Sequence, residues 1–220
     1  MTEVTNLPKW YSETLEKDNY FPLLRDFRCK NSAKLYSEVW ENEFSTLRMC
    51  ILTVPGKFFA ETVVIFPKYG VNTPIFGSEY IKMPKKSFGA VDFHPQNGNI
   101  SPIRAVLGAE PLCEVVKSPH YDLTEHFSPW LWIKRSGSCL YREFSDTCTR
   151  RSKLYHDMIG SEEGSRSLHP VGFCKYMSEH DPARGILRSY FGSRFSSEYT
   201  EKFLFPESSD FLGTFYKIYY

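Results

Sequence analysis

Between Leu35 and Phe93 the chain repeats one pattern five times: a short run rich in β-branched and aromatic residues, then a break. Leu35–Trp40 alternates, Met49–Val54 is stopped by Pro55-Gly56, and Glu61–Phe66 ends at Pro67. Ile75–Met83 and Phe88–Phe93 complete the run. Such segments predict strands, and sequential strands on short connections usually pair as neighbours, so an antiparallel sheet is expected. Phe127–Lys134 (FSPWLWIK) predicts a sixth strand.

The second half carries a different period. Leu140, Phe144, Cys148, Leu154, Tyr155 and Met158 fall at helical spacing through Tyr141–Ile159, and Val171–Glu179 continues in the same style. Asp181-Pro182 predicts a helix start, with Asp as N-cap and Pro at the first helical position. A last amphipathic stretch runs over Ser196–Phe205 with Ser as a cap, and Lys9–Glu16 suits a helical turn. Strands first and helices later predict an α+β domain with helices packed on the sheet. The 220 residues show no repeat or linker and suit a single domain, 1–220.

Several function classes fall away. Lys and Arg number 27 against 26 Asp and Glu, which argues against a general nucleic-acid binder. No apolar run approaches a membrane span. The cysteines at 29, 50, 113, 139, 148 and 174 form no C-x-x-C pair and no zinc or iron–sulfur spacing. With no secretory signal at the start, reduced thiols in the cytoplasm are expected, or in a plastid if a transit peptide was trimmed. No strand leads into G-x-G-x-x-G and there is no P-loop, so signatures for NAD, FAD or nucleotide phosphate are missing. Aromatic residues make up 16% of the chain, which fits a β-rich core and also a pocket for a large flat ligand.

Three segments in order resemble one family. Phe66-Pro67-Lys68-Tyr69-Gly70-Val71-Asn72-Thr73-Pro74-Ile75-Phe76-Gly77-Ser78-Glu79, with Val91-Asp92-Phe93-His94-Pro95, is similar to the "P-x-F-G-x-D … D-x-x-P" strand pair of ferredoxin-dependent bilin reductases. Phe127-Ser128-Pro129-Trp130-Leu131-Trp132-Ile133-Lys134-Arg135 resembles that family's "F-S-x-x … R" strand. Glu179-His180-Asp181-Pro182-Ala183-Arg184-Gly185, Phe191-Gly192 and Phe203-Leu204-Phe205-Pro206 resemble its "D-P-x-x-G … F-G … F-L-F" signature. The phycoerythrobilin-forming members look nearest, chiefly through D-P-A-R-G.

The resemblance implies a three-layer α/β/α sandwich with a central antiparallel sheet and the bilin between sheet and C-terminal helices. It implies reduction of biliverdin, or dihydrobiliverdin, by single electrons from ferredoxin through bilin radicals. No metal or flavin is bound, because the substrate is itself the redox centre. A monomer is expected.

The site residues follow from the same resemblance. Glu79 stands where most members carry a catalytic Asp, and a carboxylic acid in a weakly polar pocket can be a general acid near neutral pH. Asp181 is a second proton donor, although capping alone would explain it. Arg135 matches an Arg that holds a bilin propionate. Thr62 lies where some relatives place a His or Asn over the bilin, and Phe76 and Phe191 complete the expected substrate contacts. Asp92 and His94 are expected to close a strand into a turn. Lys82, Lys85, Lys86, Arg184, Arg188 and Arg194 would form a basic rim for an acidic ferredoxin. Glu79 also resembles the Glu of red chlorophyll catabolite reductases, which leaves such an enzyme, or a non-catalytic bilin carrier, as alternatives.

Overall fold

Seven strands follow one another across a single antiparallel sheet in the order in which they occur in the chain. They are β1 (Phe21–Lys30), β2 (Ala33–Glu41), β3 (Ser45–Val54), β4 (Phe58–Pro67), β5 (Ile75–Met83), β6 (Lys86–His94) and β7 (Trp132–Ser136). Helices α1 (Lys9–Lys17), α2 (Ser101–Leu107) and α3 (Tyr141–Ile159) accompany them. The computed structural model describes residues 8–68, 73–112, 126–159, 171–181 and 183–206. The chain divides into two units, Met1–Val115 with Phe127–Ser167, and Val116–His126 with Leu168–Tyr220.

In the first unit, alternation along each strand fixes the core. Leu47, Met49 and Ile51 of β3, Val63 and Ile65 of β4, Phe76 and Tyr80 of β5, and Val91 and Phe93 of β6 all point to one face. Against that face α1 lays Trp10, Tyr11 and Leu15, and α3 lays Phe144, Cys148, Tyr155 and Ile159. The α3 residues recur at helical spacing, so one stripe of the helix meets the sheet. Burying each such large side chain contributes about 1.5–3 kcal/mol.

Two carboxylates lie within this face. Glu38 accepts hydrogen bonds from Tyr11, Tyr36 and Trp40 and pairs with Arg25 at 2.9 Å. Glu61 accepts from Trp10 Nε1 and from Tyr141 OH, both at 3.2 Å, and so ties α1 and α3 to β4. Burial pushes its carboxyl up to about 7 against the opposition of those two hydrogen bonds.

The structure departs from the sequence expectation in four places. β1, whose Phe-Pro-Leu-Leu-Arg-Asp run does not alternate and so hid it, is an edge strand, with Pro22 beside an irregularity in register. α2 was not expected. Phe127–Leu131 is not a strand: only Trp132–Ser136 pairs with β6. The reason lies in Asp92, whose Oδ2 accepts from the Ser128 amide at 2.8 Å and whose Oδ1 accepts from Ser128 Oγ at 2.5 Å. Asp92 therefore does more than end β6, since it pins the returning chain before β7 starts. His94 sits beside it, Nδ1 to Oδ2 3.6 Å, edge-on to Phe127 at 5.0 Å between ring centroids.

The fourth departure is in the second unit. It holds α4 (Val171–His180), α5 (Ala183–Phe191), α6 (Ser193–Tyr199) and a π-helical turn at Thr200–Leu204. The last helix begins three residues earlier than expected, after Gly192 at φ 96°, and Ser196 does not cap it. Ser196 Oγ instead donates to the Arg184 carbonyl at 2.7 Å. Phe191, Phe195, Tyr199 and Phe203, four residues apart, form an aromatic ladder with centroid spacings of 5.1, 5.4 and 4.7 Å.

Two predictions follow from this packing. Because Glu61 holds its proton up to about pH 7 in the folded state, the folded chain binds more protons than the unfolded chain between the ordinary value of 4.5 and that point. Stability is then lost as pH rises through this window, by at most about 3 kcal/mol for this residue. Urea melts at pH 5 and pH 8 should show a drop in stability that is smaller in Glu61→Gln; equal drops would refute the assignment. Separately, a Cβ at Gly77 would overlap His94 Nε2 and lie 3.0 Å from Cδ2, so the imidazole needs the glycine. Gly77→Ala should cost about 1–3 kcal/mol by overpacking. In the His94→Ala background the same change should cost clearly less, as a thermal-melt double-mutant cycle would show.

Candidate functional site

The sheet's other face presents a different set of side chains. Register places Cys50, Thr62, Glu79, Ala90 and Ile133 in one row across β3 to β7. Arg48, Val64, Gly77 and Asp92 form the row on one side of it; Leu52, Ala60, Ile81, Phe88 and Arg135 form the row on the other. Glu79 thus stands between Thr62 and Ala90, with Gly77 and Ile81 before and after it along β5. Directly opposed residues in such pairs hold their Cβ atoms about 4.5–5.5 Å apart. Thr62 and Glu79 are near enough to act on one atom of a ligand, and Gly77, Ala60 and Ala90 keep the surface around them low.

Thr62 is buried and Glu79 half-buried. Arg135 shares their face, two strands and one step from Glu79, roughly 12 Å by strand and residue spacing. Its guanidinium lies 5.9 Å from the centroid of the Phe88 ring and its side chain is exposed. Phe76 does not join them. It is the β5 partner of Ile65 and Phe93 on the opposite face, fully buried among Trp10, Phe93 and Tyr155 at centroid distances of 6.0–6.4 Å. Strand alternation therefore separates Phe76 from the other residues expected to contact substrate: neighbours an odd number of residues apart on a strand point to opposite sides.

Sequence reasoning missed Arg48. It is buried on the Glu79 face, its guanidinium 5.2 Å from the Phe66 ring centroid. The available signal was a charged residue inside the otherwise apolar run Leu47–Leu52, at a position where alternation sends it away from Leu47 and Met49. Asp92 and His94 lie on this face as well, both buried. Burial pushes the Asp92 carboxyl up to about 7, opposed by the two Ser128 hydrogen bonds and by the Arg151 guanidinium. An acid with that value exchanges protons readily near neutral pH.

In the second unit Asp181 follows α4. Its amide donates to the Met177 carbonyl at 2.8 Å and its Oδ1 accepts from the Ala183 amide at 2.7 Å, the N-cap contact expected from the sequence. Its side chain is buried, and that burial pushes the carboxyl up to about 6 against the Ala183 hydrogen bond. Phe191 heads the aromatic ladder. Pro182 lies outside the described residues. Among the described residues no group of three or more His, Cys, Asp or Glu is placed to hold a metal ion. No helix among them is long and apolar enough to cross a membrane.

The family model described as "Ferredoxin-dependent bilin reductase" matches residues 27–206. A 15,16-dihydrobiliverdin:ferredoxin oxidoreductase of Prochlorococcus marinus is 29% identical over 201 residues, covering 81% of this chain and 84% of its own. A phycoerythrobilin:ferredoxin oxidoreductase of Nostoc punctiforme is 25% identical over 166 residues, 64% of this chain and 63% of its own. Among solved structures, phytochromobilin synthase from tomato, in complex with biliverdin, shares the fold with a TM-score of 0.72 and 17% identity, over 95% of this chain and 88% of that one. With the family model matching residues 27–206, a span that holds all three motifs, the chain belongs to the ferredoxin-dependent bilin reductases.

Proposed function

We propose that this chain reduces biliverdin IXα, or dihydrobiliverdin, to a phycobilin, with phycoerythrobilin as the expected product. The observation that carries the reading is the family match running through both units, which supports one catalytic domain over residues 1–220. Each reduced double bond takes up two electrons and two protons. Ferredoxin supplies electrons singly, so the bilin passes through radical states, and the chain's own part is to bind the bilin and to deliver protons.

Glu79 and Asp181 are the proposed proton donors. Asp181 suits the task because its raised value leaves a large protonated fraction near neutral pH while still allowing transfer. Glu79 stands beside Thr62, whose hydroxyl can donate to a bilin oxygen or nitrogen or accept from one. Arg135 is the proposed propionate partner: a guanidinium forms paired, charge-assisted hydrogen bonds to a carboxylate. Asp92, buried and carrying a carboxyl near 7, is available on the same face as a proton reservoir. The named relatives, both ferredoxin oxidoreductases of bilins, support this substrate class. The chain is proposed to work in a cytoplasmic compartment, as a monomer.

The test is an anaerobic absorbance time course with biliverdin, ferredoxin and a reducing system. A blue-shifted product formed through a transient radical band is expected. A bound biliverdin spectrum that never changes would instead favour a carrier or a reductase for a chlorophyll catabolite. Variants then separate the roles. Glu79→Gln should bind biliverdin and lose at least about tenfold in rate, the lower range of general-acid contributions being larger still. Asp181→Asn should keep its thermal midpoint, because Asn caps about as well as Asp, while turnover falls or stops at a partly reduced product. Unchanged kinetics in both variants would remove the carboxylates from the mechanism.

A further inference from the structure

His94 ends β6 opposite Ile75, at a position whose parity puts it on the Glu79 face. Its ring turns back over the sheet: a Cβ built on Gly77 would overlap Nε2 and lie 3.0 Å from Cδ2. The other ring nitrogen, Nδ1, lies 3.6 Å from Asp92 Oδ2. One nitrogen therefore faces Asp92, and the other sits over Gly77, the residue that precedes Glu79 on this face of β5. From Gly77 to Glu79 is about 7 Å along the strand. The Glu79 side chain can close such a gap to Nε2, directly or through one water.

A side chain that only closed a turn would need no nitrogen here. Imidazole can take up a proton at one nitrogen and release one at the other near neutral pH, and the missing Cβ of Gly77 gives the ring its place. Asp92 supplies the acid behind it. Its carboxyl is fixed by the Ser128 amide and hydroxyl, and burial pushes it up to about 7. A carboxyl near 7 and an imidazole, whose ordinary value is near 6.5, exchange a proton with little difference in free energy. The charged groups that face this cluster from other elements are Arg48 of β3, buried on the same face, and Arg151 of α3, which acts on Asp92. Both favour the carboxylate forms that appear while a proton is in transit.

We infer that His94 acts through Glu79, as the link that passes a proton from Asp92 to Glu79 after Glu79 has protonated the bilin. The inference rests on the reading of the chain as a reductase with Glu79 as a donor, and it adds how that donor is recharged. One double bond takes up two protons, and a lone carboxyl holds one. Glu79 first gives its proton to the reduced bilin and is left as a carboxylate. The Nε2–H bond of His94 then breaks as a new O–H bond forms on Glu79, and Nδ1 takes the proton of the Asp92 carboxyl. The imidazole stays neutral and changes tautomer, and Asp92 becomes a carboxylate that still accepts from Ser128. Water restores Asp92 and the first tautomer between turnovers. No electron moves in these steps.

Two measurements test the relay, and the first needs no turnover. In protein carrying isotope-labelled histidine, His94 is titrated by NMR in the parent, in Glu79→Gln and in Asp92→Asn, its signals assigned by their loss in His94→Gln. Asn keeps an oxygen to accept from Ser128. Each variant removes a carboxylate that favours the protonated ring, so the His94 midpoint should fall by about 0.5 or more in both. The second is the anaerobic time course with biliverdin, run on His94→Gln and on Phe127→Leu. Phe127 meets the His94 ring edge-on and has no proton to give. In His94→Gln, kcat should fall by about tenfold or more, with KM and the bound biliverdin spectrum unchanged, and the transient radical band should last longer because the second proton arrives late. Phe127→Leu should leave kcat and the radical band close to those of the parent. A His94 midpoint indifferent to either carboxylate variant, His94→Gln turnover equal to the parent's, or equal losses in His94→Gln and Phe127→Leu would overturn the relay and leave the reductase reading standing. A parent protein that never reduces biliverdin would overturn that reading, and the relay with it.

Discussion

On a pleated strand a side chain can face only one way, and that constraint divides the sheet into a packed face and a proposed working face. β4 and β5 show it residue by residue. Glu61, Val63 and Ile65, with Phe76, Ser78 and Tyr80, meet α1 and α3; Thr62 and Val64, with Gly77 and Glu79, face the other side. A slip of one residue in the β4–β5 register would exchange the two sets, placing Glu79 against Phe144 and exposing Tyr80. The densely packed aromatic face therefore does more than stabilise the unit. Interlocking Trp10, Phe76, Phe93 and Tyr155 makes any other register costly, and so fixes Glu79 opposite Thr62.

Polar groups inside the packed face reinforce that register at some expense of stability. Glu38 gathers donors from α1 and β2, and Glu61 gathers donors from α1 and the start of α3. An apolar side chain at either position would leave two or more buried donors unpaired, each costing about 1–3 kcal/mol. Removing only the carboxylate is thus worse than keeping it, even though its charge is poorly solvated. On the working face Asp92 plays a comparable part by holding Ser128, which sets where β7 begins and hence where Arg135 stands.

Most of the fold was legible because its signals are local. Five strand segments and the long α3 came from periodicity, and Ile75–Met83 and Tyr141–Ile159 were bounded as they stand in the structure. What escaped depends on distant partners. β1 shows no clear alternation because an edge strand has one neighbour and little to bury. Phe127–Leu131 looks like a strand, and the Ser128–Asp92 contact, across 36 residues, is what keeps it from pairing. For the proposed site, resemblance to the family suggested Glu79, Thr62, Arg135 and Asp181, and pattern alone marked only Asp181, as a helix cap. Phe76 shows the limit of carrying a motif residue across without asking which face it occupies. Arg48 shows the reverse, a residue with no motif whose parity on β3 places it on the working face.

Charge is distributed over the described residues as unevenly as the apolar side chains are. The β5–β6 hairpin gathers positive charge in Lys82, Lys85 and Lys86, whereas the acids with raised values, Asp92 and Asp181, are buried. The raised values of these acids depend on burial, and they would be lost if the groups were opened to water.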